Sequence, residues 1–422
     1  MIPSIRRFSL VGLCALTGVS VSVSGCGQEA AVEGLSTITD ELKLSDNGVG
    51  KDATWSTHGF IDFGSEFFKP QGTNGRSCET CHAPEDGWGL RPETAQRLFD
   101  ETAGTAPLFN LLDANTPVSD LSTLEARRRS FSMLLQGKFR RLRSPPATAE
   151  YTVTAVNDPF GYGSPTAVLT FRRPLPTANL RTHPTNWDSS NTVGTDVRAG
   201  LERQARGNIT GAQQGAPAAD AVIHDIVNFE ASLSHAQVVL PKVGALDSNG
   251  ARGGPQHHAN QPVVVGPFDL YDAWQNTGSP WRRQIARGQA LFNAVNAGNG
   301  RSCNGCHNAA NDGANVGGIL FDVGASDVRW AKPDMATYTL VNKTTGATIV
   351  TTDPGRGLVS GRWADVNRFK TPSLRGIAAR APYFHNGIAD TLTDVVVFYE
   401  QSMGFSYTAQ EREDLAAFLG AL

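Results

Sequence analysis

Two copies of Cys-x-x-Cys-His dictate what this chain can fold around: Cys78-Glu79-Thr80-Cys81-His82 and Cys303-Asn304-Gly305-Cys306-His307. The spacing suits covalent c-type haem, in which two thiols add across the porphyrin vinyl groups and the adjacent imidazole reaches the iron. Each motif follows the same words, Asn74-Gly75-Arg76-Ser77 and Asn299-Gly300-Arg301-Ser302, and Gly64-x-x-x-Phe68 answers Gly288-x-x-x-Phe292. A repeat about two hundred residues apart reads as two related modules in one polypeptide. The alternative is a zinc site built from two Cys-x-x-Cys pairs. Zinc does not require a histidine after each pair, whereas haem does. Cys78, Cys81, Cys303 and Cys306 are therefore the expected attachment points of two haems, with His82 and His307 as proximal iron ligands.

The N-terminus points to export. Arg6 and Arg7 precede an apolar run from Phe8 to about Val23, which ends in Val23-Ser24-Gly25-Cys26. This resembles a bacterial lipoprotein signal, residues 1–25, whose cleavage leaves Cys26 as the lipidated first residue. An ordinary cleaved signal and an uncleaved anchor helix are the alternatives, the latter made poor by Gly and Ser. An acylated Cys26 would hold a periplasm-facing domain at a membrane, and Gly27 after the cysteine favours the outer one. Beyond the leader, about four hundred residues are enough for two ordinary domains. Net charge is −3 with both signs interspersed, which leaves no basic footprint for nucleic acid.

Composition shifts divide the rest. Residues 26–50 read as a tether, 51–240 as an N-terminal haem domain, 241–280 as a linker or long inserted loop, and 281–422 as a C-terminal haem domain. The expected fold class is mainly α, two c-type cytochrome domains of helices and loops around one haem each. A helix is expected from about Ala218 to Ala236, with Val222, Ile226, Phe229 and Leu233 on one face. Another is expected to hold Ile285, Ala290, Leu291 and Phe292. A capping box at Thr408-x-x-Glu411 opens the last helix, with Leu415, Phe418, Leu419 and Leu422 as its apolar stripe. The Pro- and Thr-rich middle shows strand-like alternation only locally, as in Ala167-Val168-Leu169-Thr170-Phe171.

Residues 369–399 contain Phe369-Lys370-Thr371-Pro372-Ser373-Leu374-Arg375 and Pro382-Tyr383-Phe384-His385-Asn386-Gly387. With both haem motifs, the Arg173-to-Leu180 segment, Trp187-Asp188 and Gln204-Ala205, this resembles the bacterial di-haem cytochrome c peroxidase family. That family also includes the di-haem enzyme that matures the quinone cofactor of methylamine dehydrogenase. The resemblance implies an oxidoreductase that reduces hydrogen peroxide at the N-terminal, peroxidatic haem on His82. The C-terminal haem on His307 would collect electrons from a small periplasmic donor, a c-type cytochrome or a cupredoxin. It also implies a Trp187 relay between the haems, Gln204 as the distal amide, and Asn179 as ligand of an inter-haem calcium ion with backbone carbonyls near Arg380 and Pro382.

The departures from that family matter as much. The family places a proton-moving glutamate ten residues after its distal glutamine, where this chain has Gln213-Gln214, so another acid such as Asp220 would have to serve. The family's peroxidases carry an axial methionine fourteen residues after the histidine that matches His385, a count that lands on Tyr399. Met403, one turn on, is the alternative ligand. A phenolate ligand would favour ferric and higher states and suit an oxidase that uses high-valent haem on a protein or organic substrate. A non-enzymatic electron-transfer cytochrome is the third reading. No histidine lies between His82 and His183, so the peroxidatic site should be open without reductive activation. His58, His183, His224, His235, His257 and His258 read as surface or loop residues.

Overall fold

The computed structural model describes residues 44–422; the expected signal, Cys26 and most of the tether lie outside them. The repeated words before each haem motif form the same turn. Asn74 Oδ1 accepts from Arg76 N at 3.3 Å and Asn299 Oδ1 from Arg301 N at 2.9 Å. Gly75 and Gly300 follow with φ of 73° and 66°, the left-handed conformation that glycine adopts without strain. The modules then diverge. Arg76 is buried and paired with Asp113 at 2.6 Å, whereas Arg301 is exposed.

The C-terminal core grows from two helices that cross closely. Pro280–Asn293 starts on a Ser279 cap with Pro at its first position, and Ala409–Gly420 starts on the Thr408/Glu411 capping box expected from sequence. They meet at Gly288, where a Cβ would lie 1.9 Å from the Asp414 carbonyl oxygen, so only glycine permits the approach. Ile285, Phe292, Leu415, Phe418 and Leu419 bury their stripes together. Segment 241–280, read as a linker, adds Leu246, Phe268, Leu270, Tyr271 and Trp274 to this core. Its backbone is irregular, but its side chains are packed.

The N-terminal half holds two smaller clusters. One joins Phe67, Trp88, Leu201, Ile209, Ile226 and Phe229; the other joins Phe99, Phe109, Phe131 and Leu134. The expected helix over 218–236 stops at Ser232 and gives way directly to a strand, Leu233–Leu240. Tertiary pairing overrides helix period here: that strand lies antiparallel to Lys51–Ser56, which also pairs with Leu44–Asp46 from the end of the expected tether.

The mainly-α expectation is met only in part: among the described residues helix takes 32% and strand 17%. Tyr151–Asn157 pairs with Thr337–Asn342, and Phe139–Arg143 with Val168–Arg172. These pairings join segments whose own patterns name no partner. No helix among the described residues is long and apolar enough to cross a membrane.

Candidate functional site

Both motif histidines are presented in the same way. His82 Nδ1 donates to the Trp88 carbonyl at 3.1 Å, and His307 Nδ1 to the Gly313 carbonyl at 2.6 Å. Fixing one ring nitrogen sets the tautomer and leaves Nε2 for a metal. Burial pushes each imidazole down to about 4, the carbonyl bonds offsetting only part of it, so both rings are neutral at pH 7, as iron ligation requires. The cysteines of each motif are free and half-buried. Cys303 packs on the C-terminal core, while Cys78 and Cys81 pack on the two N-terminal clusters. The pairs thus lie in different surroundings, which does not suit one four-thiolate zinc centre.

Each motif opens on a cavity. The larger, about 700 Å³, is lined by Cys303, Cys306, His307, Phe292 and residues of the 369–407 stretch. The smaller, about 210 Å³, is lined by His82, Gln204, Asn208, Glu230 and parts of the 172–188 segment. The two share a wall in which Arg173, Pro174, Trp187, Lys370 and Pro372 line both. Trp187 is held rigidly within it. Its Nε1 donates to Arg173 O at 2.8 Å, its own carbonyl accepts from Lys370 N at 2.8 Å, and its ring meets His385 edge-on at 6.3 Å.

The walls carry positive charge that the protein leaves uncompensated. Burial pushes Lys370 down to about 8 and Arg173 and Arg380 down to about 10. Arg380 Nη1 is buried without a hydrogen-bond partner. Buried cations call for an anionic partner, and the propionates of a porphyrin are anionic. The larger cavity, apolar and beside two thiols and a fixed imidazole with such cations at its rim, fits haem; the smaller meets its motif at His82.

The structure gathers several of the residues singled out from sequence. Trp187 stands in the shared wall, and Gln204 lines the His82 cavity from the helix Val197–Thr210. Tyr399 and Met403 both line the larger cavity from the helix Leu392–Met403, four residues apart and so on one face. Burial and then the neighbouring Cys303 and Cys306 raise the Tyr399 phenol above its usual range. Asn179 is buried with its amide bound to the fold: Oδ1 accepts from His235 N, and Nδ2 donates to the His235 and Arg375 carbonyls.

Other residues fall elsewhere. Gln213 is buried, but its Oε1 accepts from Gln71 N and its Nε2 approaches Cys78 Sγ at 3.8 Å. Asp220 faces solvent and pairs with Arg206 at 2.6 Å, so it is not a cavity acid. His235 and His258 are not surface residues. His235 is buried in the 233–240 strand against Thr54, and His258 bonds Asp312 at 2.8 Å. Sequence reading missed Glu230, because a lone glutamate in an apolar helix carries no spacing signal. His385 lay inside a quoted motif without a role. Its ring stacks on Phe369 with centroids 3.8 Å apart, beside Asp353, which Arg172 holds by two hydrogen bonds.

No protein-family model matches the chain. It is similar to the cytochrome-c peroxidase IdrP1 of Pseudomonas sp. (strain SCT), 31% identical over 186 residues, which are 37% of this chain and 44% of that protein. It is also similar to the cytochrome c551 peroxidase of Pseudomonas aeruginosa, 28% identical over 157 residues, 37% of this chain and 38% of that protein. The chain thus spans less than half the length of these curated relatives. A solved structure of a MauG-like protein associated with microbial copper homeostasis overlays with a TM-score of 0.43 at 18% identity, covering 86% of this chain and 88% of that one.

Proposed function

We propose that this chain is an exported peroxidase of the bacterial di-haem cytochrome c peroxidase family, with two covalent haems, a reading supported by its similarity to two cytochrome peroxidases. Hydrogen peroxide is reduced in the His82 cavity of the N-terminal module, 51–240, with electrons that enter through the His307 module, 281–422. The observation that carries this reading is the shared wall: one indole, Trp187, borders both cavities. Bound there, c-type haem supplies one-electron storage and the cleavage of the peroxide O–O bond.

The chain's own residues do the rest. His82 and His307 present Nε2 on rings whose Nδ1 is fixed. Gln204 offers an amide to orient peroxide, and it neither takes nor returns a proton. Trp187, pinned at both its indole N–H and its carbonyl, is a fixed electron relay. Arg173, Lys370 and Arg380 hold the anionic edges of the cofactors.

The donor is a small c-type cytochrome or cupredoxin. Cys26 carries the lipid that keeps the protein at the membrane, facing the periplasm. Asn179 is the candidate calcium ligand; its carbonyl oxygen accepts one hydrogen bond, from the His235 amide, and keeps a second lone pair for the ion. Tyr399 in the larger cavity favours a second reading, an oxidase acting on a protein or organic substrate, because a phenolate suits an oxidising rather than an electron-collecting haem.

The test is peroxide-dependent oxidation of a reduced small cytochrome by the exported, haem-loaded protein. Wild type should turn over, and Trp187→Phe should slow donor oxidation while leaving haem content unchanged. Turnover unaffected by Trp187→Phe would remove the relay. No donor oxidation, together with peroxide-driven modification of an added protein, would select the second reading.

A further inference from the structure

The His82 cavity contains one carboxyl group that the fold does not use. Glu230 sits in the last turn of the helix Asp220–Ser232, is 2% exposed, and lines the cavity with His82, Gln204 and Asn208. Buried carboxyls are normally hydrogen-bonded or paired with a cation. Among the described residues Glu230 has no salt bridge, and its Oε2 is buried without a hydrogen-bond partner. Ile226, Val227 and Phe229 beside it belong to the apolar cluster under the cavity.

The other charged groups lining the cavity are Arg141, Arg172, Arg173, Asp188 and Lys370, and none pairs with Glu230. Asp188, the other cavity acid, is bound to Arg172 at 2.7 Å. Burial alone pushes the Glu230 carboxyl up to about 8, which places its protonation within reach of neutral pH.

We propose that Glu230 is the catalytic acid–base residue of the His82 cavity. It takes a proton from one oxygen of hydrogen peroxide and returns it to the other as the O–O bond breaks, so that this oxygen leaves as water. The full reduction adds two electrons from the one-electron donor protein and two protons from solvent to one peroxide, giving two waters. Glu230 ends as it began. The assignment rests on the peroxidase reading, and it supplies the acid that Gln213 cannot be.

The experiment compares haem-loaded wild type, Glu230→Gln and Glu230→Asp. Cyanide enters such a cavity as neutral HCN and must lose its proton to a base, so its binding rate reads proton handling without turnover. Glu230→Gln should bind cyanide about tenfold or more slowly and react with peroxide roughly 10²–10⁴-fold more slowly, with Glu230→Asp recovering part of both. Above about pH 8, where Glu230 starts largely ionised, infrared difference spectra of wild type on cyanide binding should show a new carboxylic C=O band that moves in Glu230→Asp. Unchanged cyanide and peroxide rates in a fully loaded Glu230→Gln would overturn the assignment. If that variant fails to load haem, absence of the infrared band in wild type overturns it instead. A wild type that binds cyanide with this signature yet consumes no peroxide would keep Glu230 as a proton carrier and remove the peroxidase reading.

Discussion

At the residue scale, the buried pair Asp52 and His235 makes stability depend on pH. Asp52 is fully buried and accepts from Asn47 at 2.7 Å, but its Oδ1 has no partner and lies 3.7 Å from the equally unpartnered His235 Nε2. Burial pushes Asp52 up to about 7 from 3.8 and His235 down to about 3 from 6.5. A raised carboxyl pKa means the folded state holds the proton more tightly, so Asp52 contributes fully below its unfolded value and loses that contribution as pH rises through about 7. His235 runs the other way, contributing fully above its unfolded value and losing this as pH falls towards 3. Asp52→Asn should therefore gain on wild type by about 2–4 kcal/mol between pH 5 and pH 8, read by denaturant titration at each pH.

Tyr399 and Met403 are separated by spectroscopy. If Tyr399 ligates the His307 iron, Tyr399→Phe should convert that haem to high spin and Met403→Leu should leave it low spin; the reverse pattern assigns methionine. The two Cys-x-x-Cys-His motifs were legible because their spacing is local and chemical. Glu230, Lys370 and the His235 contact were not, because tertiary packing alone gives them their surroundings.

At the element scale, the crossing at Gly288 sets the C-terminal core. Gly288→Ala places a methyl against the Asp414 carbonyl and should cost about 1–3 kcal/mol. The repeat partner Gly64 has only the Asp62 carboxylate at 3.0 Å, so Gly64→Ala should be milder. Urea melts of the two variants compare them directly. Helix ends were readable where the signal is a few residues long: the Thr408/Glu411 box forms both of its hydrogen bonds. The box at Thr391/Asp394 was equally local and went unread. Most strands were not readable: the alternation at Ala167–Phe171 falls on the strand Val168–Arg172, but the partner of Tyr151–Asn157 lies far along the chain at Thr337–Asn342. The helix expected over 218–236 ends at Ser232 for the same reason, since Leu233 onward is claimed by pairing with Lys51–Ser56.

At the scale of the whole molecule, two motifs far apart in sequence open on cavities that share the Trp187 wall. Cys78→Ser/Cys81→Ser and Cys303→Ser/Cys306→Ser should each remove about half of the pyridine haemochrome absorbance, as two attachment sites require. Membrane attachment should require Cys26, with Cys26→Ala recovered in the soluble fraction. The measurement that bears most directly on a divided di-haem peroxidase is a single turnover: fully reduced protein mixed with one equivalent of hydrogen peroxide in a stopped-flow spectrometer. The prediction is that both haems become oxidised by that one equivalent, and that Trp187→Phe delays the second oxidation. Oxidation of only one haem, or equal timing in wild type and Trp187→Phe, would contradict the account.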